Sequence, residues 1–166
     1  KLLYKALRES AVPIEDYNHL DQGGGLINVG NAYYLLKKYI KGGEIDNFET
    51  YSISAFAPNM PKNSAPNLYI RDASYLSGSE KFAFKVKRNN FNNIDNFHRS
   101  FNLNCDADWF KVIQKNIHIR HDQSVTINAQ IDESILKTPG LYNAKIKAIR
   151  ADKTQMPEFD LLATLI

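Results

Sequence analysis

The spacing of apolar residues changes from a helical period to an alternating one at Gly42-Gly43. Before this point, apolar side chains recur three and four residues apart, which is typical of amphipathic helices. Beyond it, short segments of alternating apolar and polar residues are separated by turn-forming residues, which is typical of β-strands. We therefore predict a helical segment at residues 1–43 and a separate β-rich domain at residues 44–166.

The helical segment is predicted to hold two helices. Leu3 and Leu7 give the first helix, Lys1–Ser10, one apolar stripe, and Pro13 is expected to end it. Residues 14–22 are predicted to form a polar connection. Asn28 is predicted to cap the second helix, and Gly42-Gly43 to end it. The buried face of this second helix is expected to comprise Val29, Ala32, Tyr33 and Leu36.

The β-rich domain is predicted to contain seven to nine short strands. Phe82, Phe84 and Val86 alternate with three lysines, a pattern typical of a half-buried antiparallel strand. Further candidate strands begin at or near Tyr51, Asn67, Phe97, Trp109, Asn116, Val125, Tyr142 and Phe159. The number and regular spacing of these strands predict a mainly β fold, an antiparallel β-sandwich of the immunoglobulin or jelly-roll kind.

Composition and charge narrow the class of protein. The chain of 166 residues is 43% hydrophobic and 23% charged, which is typical of a globular domain with its own core. The net charge is only +3, and the lysines are dispersed, so we expect no nucleic-acid partner. We also expect no membrane-spanning segment. Because the chain begins at Lys1 and not at Met, we expect it to be an excised or processed piece.

Two residues are candidate nucleophiles. Ser10 lies late in an amphipathic helix, where a solvent-facing or capping role is expected. Cys105 offers a thiol that His98, His118 or His121 would activate, but a single cysteine among apolar residues is more often a small buried side chain. Because the chain has a single cysteine, it cannot form an internal disulfide. This fits a cytosolic protein and also a secreted bacterial protein without disulfides. We expect no catalytic residue in this chain.

Two patterns resemble metal sites. His118 and His121 are three residues apart, so on a strand they would face opposite sides and would not share a zinc ion. Asn104, Asp106 and Asp108 have the alternating oxygen ligands of a calcium loop, but they lack its glycine and its final glutamate. We predict surface histidines and an Asx-rich turn, and we expect no bound metal.

The glycine turn Gly23-Gly24-Gly25 precedes a helix, as phosphate-binding loops do. Leu26-Ile27 stands where such a loop requires Lys followed by Ser or Thr. Close packing of the backbone at the glycines is therefore the stronger interpretation. We expect no cofactor.

The order of the helix at 1–10, the turn containing Gly23 and Gly25, and the segment Asn28-Val29 resembles a known enzyme family. These elements are similar to the stretch that follows the nucleophile in subtilisin-like serine peptidases. There, a glycine turn and an Asn-Val segment complete the catalytic domain. The resemblance implies that residues 1–43 are the last helices of an incomplete subtilisin-like α/β domain.

A second resemblance covers the β-rich domain. The segment from Asn67 to Asp72, which includes Arg71, is similar to the Gly-Ile-Tyr-Leu-Arg-Asp segment that follows the catalytic domain in the tripeptidyl-peptidase II family. Trp109 and Gly140 fit two further positions in the β-sandwich of that family. Asn67 replaces a glycine of the family segment, so the resemblance is to a distant relative.

The resemblance implies a parent enzyme that hydrolyses peptide bonds through an Asp-His-Ser triad lying upstream. This chain would be a non-catalytic C-terminal fragment of it, with a β-sandwich for structural support or assembly. Its implied partners are the upstream catalytic domain of the same polypeptide, further copies in a homo-oligomer, and the parent's peptide substrate. The resemblance favours the cytoplasm. As a corollary, the apolar faces of residues 1–41 should be incompletely covered in this chain alone.

A different class of function remains open: a self-standing β-sandwich that binds a glycan or a protein ligand. Such modules use exposed aromatic side chains. The candidates here are Tyr51, Tyr69, Tyr75, Trp109 and Tyr142.

Overall fold

A computed structural model of the chain divides into two compact units, Lys1–Phe48 and Glu49–Ile166. We refer to them as the helical unit and the sandwich unit. The structure describes residues 2–17, 19–42, 49–57, 65–71, 82–90, 93–152, 155 and 157–166.

The described part of the helical unit has three helices: α1 (Leu2–Glu9), α2 (His19–Gln22) and α3 (Val29–Lys41). The prediction that Asn28 caps α3 is confirmed, because its side-chain Oδ1 accepts a hydrogen bond from the backbone N–H of Asn31 at 2.9 Å. At the other end, the N–H of Gly42 donates to the carbonyl of Lys38. The short helix α2 lies in the stretch predicted to be a polar connection.

The helix faces that are buried match the predicted ones only in part. In α1 the buried residues are Lys5 and Ala6, whereas Leu3 is 52% exposed. In α3 the buried residues are Ala32 and Tyr39. Val29 and Tyr33, predicted to be buried, are exposed. Within the described part of the unit, α1 packs against α3. The buried residues of these two helices thus include the large side chains of Lys5 and Tyr39, whereas several large apolar side chains remain exposed.

In the described residues of the sandwich unit, the structure has nine strands. They are β1 (Tyr51–Phe56), β2 (Leu68–Ile70), β3 (Phe82–Arg88), β4 (His98–Cys105), β5 (Phe110–Val112), β6 (Asn116–Arg120), β7 (Ser124–Ile131), β8 (Tyr142–Arg150) and β9 (Pro157–Leu165). One sheet has the order β1-β3-β7-β5, and the other has the order β2-β9-β8-β4-β6. The predicted mainly β, sandwich-like fold with helices before it is confirmed.

The core of this unit is formed by the inward-facing residues of both sheets. In β3, Phe82, Phe84 and Val86 are buried and Lys85 and Lys87 are exposed, as their alternation predicts. Aromatic pairs reinforce the core. Phe84 packs edge-on against Phe110 within one sheet, and Tyr51 packs edge-on against Phe101 of the other sheet.

One pairing departs from the antiparallel prediction. Strand β2 pairs with β9 in parallel, with Leu68 opposite Ala163. Alternation fixes which face of a strand is buried but carries no information on the direction of the neighbouring strand. The sequence pattern therefore could not predict that β2 and β9 are parallel.

Candidate docking surface

Apolar side chains that remain exposed are concentrated in the helical unit. Among the described residues, eleven of the sixteen exposed large hydrophobic side chains belong to it. They are Leu3, Tyr4, Val12, Ile14, Tyr17, Leu26, Ile27, Val29, Tyr33, Tyr34 and Ile40. We call this set the apolar surface. Exposed apolar side chains that adjoin one another are typical of interaction sites.

A close backbone contact positions part of the apolar surface. Val12 and Leu26 form an antiparallel bridge in which each N–H donates to the other's carbonyl at 2.8 Å. Gly25 has a φ of +97°, and a Cβ at this position would lie 2.3 Å from the carbonyl oxygen of Val12. Only glycine fits both conditions. The prediction of close backbone packing at this turn is confirmed, and Gly23 also has a positive φ.

The side chain of Gln22 holds the segment before the turn. Its Oε1 accepts from the N–H of Ile14 at 2.6 Å, and its Nε2 donates to the carbonyls of Ile14 and Tyr17. This role of Gln22 was not predicted. The position of Gln22 directly before three glycines could have indicated this role. A side-chain amide can both donate hydrogen bonds to a loop backbone and accept them from it.

Ser10 is buried and so does not face solvent, but its hydroxyl donates to the carbonyl of Leu7 in the last turn of α1, as expected of a capping side chain. Its hydroxyl lies 3.2 Å from the carbonyl oxygen of Asn28 and 3.3 Å from that of Leu7. It therefore links the end of α1 to the start of α3. A hydroxyl with this role satisfies a buried donor and is not placed to act as a nucleophile.

Polar side chains of α1 and α3 contact one another. Lys5 is buried, with its Nζ 3.9 Å from a carboxylate oxygen of Glu9 and 5.1 Å from the ring centre of Tyr39. The hydroxyl of Tyr39 donates to Glu9. An open groove of about 470 Å³ runs beside Glu9 and Ser10, between the Val12-Pro13 segment and Tyr34 of α3. Interior polar groups with partners of this kind fix how two helices meet.

The remaining motif residues lie in the sandwich unit. Trp109 is buried, and its Nε1 donates to the carbonyl of Asn143 at 3.1 Å. Arg71 and Gly140 are exposed, the first after β2 and the second in the loop before β8. Asp72 lies outside the described residues. Trp109, Arg71 and Gly140 therefore lie in three different connections between strands. The structure does not bring them together into one site.

Cys105 packs partly buried against the core of the sandwich, as predicted. Burial raises the pKa of its thiol, which leaves little of the reactive thiolate at neutral pH. Asp106, beside it, accepts a hydrogen bond from the N–H of Lys145 at 2.7 Å through Oδ1. This carboxylate ties the turn to β8. No group of three or more potential metal ligands occurs among the residues that the structure describes.

The two histidines predicted to face opposite sides line one cleft. His118 lies in β6, whereas His121 follows the end of that strand in a left-handed conformation with a φ of +53°. The turn redirects His121, so the rule for strand residues does not apply to it. An open cleft of about 570 Å³ is lined by both histidines together with His98 and Arg120. Burial and the positive charges of Arg120 and His98 lower the pKa of His118.

Three of the five aromatic candidates for a binding module pack in or against the core, whereas Tyr69 is half-buried between the two buried residues of β2. Tyr51 packs against Phe101 and Phe159, and Trp109 packs against Phe110 and Tyr142. Tyr75 lies outside the described residues. These contacts do not favour an aromatic ligand-binding platform.

Comparison with known proteins identifies the fold. No protein-family model matches the sequence, and no curated protein matches it. The chain is similar to the solved structure of tripeptidyl peptidase 2 (TPP II), with a TM-score of 0.78 and 18% identity over 99% of this chain. It spans 13% of the length of that chain. The periplasmic chaperone SfaE gives a TM-score of 0.37 at 15% identity over 68% of this chain and 54% of its own, too low to indicate a shared fold.

In the described residues, no helix is both long enough and apolar enough to cross a membrane.

Proposed function

We propose that this chain is a non-catalytic, C-terminal part of a subtilisin-like serine peptidase related to tripeptidyl peptidase 2. In this proposal, residues 1–43 complete the catalytic domain, and residues 44–166 form the β-sandwich that follows it. The Asp-His-Ser triad and the peptide substrate site belong to the upstream part of the same polypeptide. The sandwich supports that domain or takes part in assembly of further copies.

The apolar surface carries this proposal. Leu26, Ile27 and Val29 are each more than 60% exposed, and they follow directly on the turn at Gly25. A helical unit that is complete in itself would turn these side chains inward. Their exposure is expected if another domain covers them in the parent enzyme.

Two further observations support it. The fold likeness extends over nearly all of this chain and only a small part of the tripeptidyl peptidase 2 chain, as expected of a segment of a larger enzyme. In addition, Ser10 and Cys105 are both engaged in packing or hydrogen bonds. Neither has the activation that a serine or cysteine nucleophile requires.

The test is covalent labelling with a fluorophosphonate probe for serine hydrolases. This chain and the native full-length polypeptide are treated in parallel, with heat-denatured samples as the control for non-specific reaction. We expect labelling of the longer polypeptide only. Labelling of this chain would contradict a non-catalytic role, and an absence of labelling in both would contradict an active parent peptidase.

A second test addresses the apolar surface directly. We expect this chain to bind a hydrophobic fluorescent dye strongly, and we expect the triple substitution of Leu26, Ile27 and Val29 by Glu to abolish most of that binding. Ile113→Glu is the matched control, because Ile113 is similarly exposed but belongs to the sandwich unit. Equal losses in both variants, or weak binding from the start, would contradict a docking role for the helical unit.

A further inference from the structure

Three of the four histidines in the chain line the open cleft beside strand β6. We propose that two of them, His98 and His118, form a surface binding site for a divalent transition-metal ion such as Zn²⁺. The site lies wholly within the sandwich unit and does not rest on the proposed function.

The strand register places both imidazoles on one face of the sheet. In the pairing of β4 with β6, His98 is opposite Arg120 and Ser100 is opposite His118. His98 and His118 are therefore diagonal neighbours, a spacing within reach of long or aromatic side chains. Their ring centres are 6.1 Å apart, and the ring planes differ by 30°.

This separation is close to what a shared metal requires. Two imidazoles that bind one tetrahedral zinc ion through Zn–N bonds of about 2.0–2.1 Å have ring centres about 5 Å apart. Side-chain rotation must therefore close a gap of about 1 Å. His98 is exposed, so its side chain is not confined by packing against the core.

Ser100 supplies the outer partner that such a ligand needs. Its Oγ lies 2.6 Å from Nδ1 of His118. When Nδ1 donates to this hydroxyl, the lone pair is on Nε2, the ring nitrogen left for the metal. Metal-binding histidines commonly use their second nitrogen in this way, and the contact fixes both tautomer and ring orientation.

The donor set defines the class of ion. Two neutral imidazoles favour zinc, nickel or copper and are poor ligands for magnesium or calcium. With two protein ligands, the remaining coordination positions are open to water or to a donor from another molecule. The ion would join the edge strand β6 to β4.

The experiment is calorimetric titration of the chain with ZnCl₂, repeated with CaCl₂. We expect binding of one zinc ion and no binding of calcium. His98→Ala and His118→Ala should each weaken zinc binding by about tenfold or more, because each removes one of two ligands. His19→Ala is the matched control, since His19 belongs to the helical unit, and it should leave the affinity unchanged.

A second pair of variants tests the positioning role of Ser100. Ser100→Ala should weaken zinc binding by about tenfold, the lower end of the effect of removing an outer partner. Ser100→Thr keeps the hydroxyl and should restore most of the affinity. Thermal unfolding without metal should be nearly unchanged in the His98 and Ser100 variants, since both side chains are exposed.

Three results would overturn the proposal. They are an absence of zinc binding, binding that survives the double substitution of His98 and His118 by Ala, and a loss in His121→Ala as large as that in His118→Ala. The last result would assign the ion to a different set of ligands in the same cleft.

Discussion

The helical unit and the sandwich unit use apolar residues in opposite ways. Among the residues that the structure describes, the ten largest fully buried side chains all belong to the sandwich unit. In contrast, the described part of the helical unit carries eleven exposed large hydrophobic side chains, whereas the longer described part of the sandwich unit carries five. The sandwich unit therefore has its own core, and the helical unit has apolar area that is available to a partner.

Geometry explains the difference. Two sheets that face each other cover their inner faces completely, and each strand needs only every second residue to be apolar. In the described helical unit, α1 and α3 cover only one side of each other. A segment of roughly 50 residues also buries a small share of its surface, which makes a complete core harder to build.

The largest expected contrast comes from removing one apolar side chain in each unit. Phe84→Ala should destabilise the sandwich unit by about 3–5 kcal/mol, because it leaves a cavity in a close-packed core. Leu26→Ala removes a side chain that is 62% exposed, and it should change the stability of the helical unit by about 0.5 kcal/mol or less.

The measurement is hydrogen exchange of the backbone amides in β3 and in α3, which reports the two units separately. Similar losses of amide protection in Phe84→Ala and Leu26→Ala would contradict this difference between the two units. It would mean that Leu26 is packed in this chain as firmly as Phe84.

Substitution of single glycines sharpens the comparison within the helical unit. Gly25→Ala should cost about 1–3 kcal/mol, because alanine is strained at a φ of +97° and its Cβ would overlap the carbonyl of Val12. Gly24→Ala is the matched control in the same turn. A Cβ there would make an ordinary contact with Ala11 at 3.8 Å.

Exchange of the amide of Leu26, which donates to Val12, reports the outcome. We expect faster exchange in Gly25→Ala and an unchanged rate in Gly24→Ala. Unchanged rates in both variants would show that the bridge tolerates a side chain.

The cap of α3 gives a smaller effect. Asn28→Ala should lower the stability of the helix by about 1 kcal/mol, because the N–H of Asn31 loses its acceptor. Asn28→Asp keeps an oxygen at this position and should retain most of the stability. Circular dichroism during thermal unfolding would measure the difference, and an alanine variant as stable as the parent would contradict a role for the cap.

The strands were predictable from sequence because their signal is local. Period-two alternation in β3 fixes which residues face inward, and turn residues separate the strands. The helix faces were not predictable in the same way. Which side of α3 is buried depends on what packs against it, and Leu3, Val29 and Tyr33 satisfy the apolar pattern without being covered.

Residues that pair over long sequence distances were also missed. Arg88 is buried because it continues the inward positions of β3, and it makes two hydrogen bonds to the carboxylate of Glu49. If the alternation of Phe82, Phe84 and Val86 is continued by two residues along β3, it predicts that Arg88 is buried. Nothing local indicates that Glu49 is its partner, just as nothing local indicates that Ser10 contacts Asn28.

The smallest expected effect is a pH dependence of stability that arises from Tyr51, a half-buried side chain of the sandwich unit. The hydroxyl of Tyr51 donates to Glu158 at 2.7 Å. Burial, followed by the negative charge of Glu158, raises the pKa of Tyr51 well above its usual value. The folded protein therefore keeps this proton when the unfolded chain loses its own. The resulting stability is fully present below about pH 10 and is lost as the pH rises further.

Tyr51→Phe removes both the hydrogen bond and this alkaline loss. Near pH 7 it should cost only about 0.5–1 kcal/mol, because Glu158 also contacts Arg99 and Arg150. Above pH 10 the difference between the variant and the parent should shrink, since only the parent loses the contribution of a protonated Tyr51. Urea unfolding at pH 7, 9 and 10.5 measures both values. A difference that stays constant over this range would mean that Tyr51 ionises alike in the folded and unfolded states, and that its contact with Glu158 does not hold the proton.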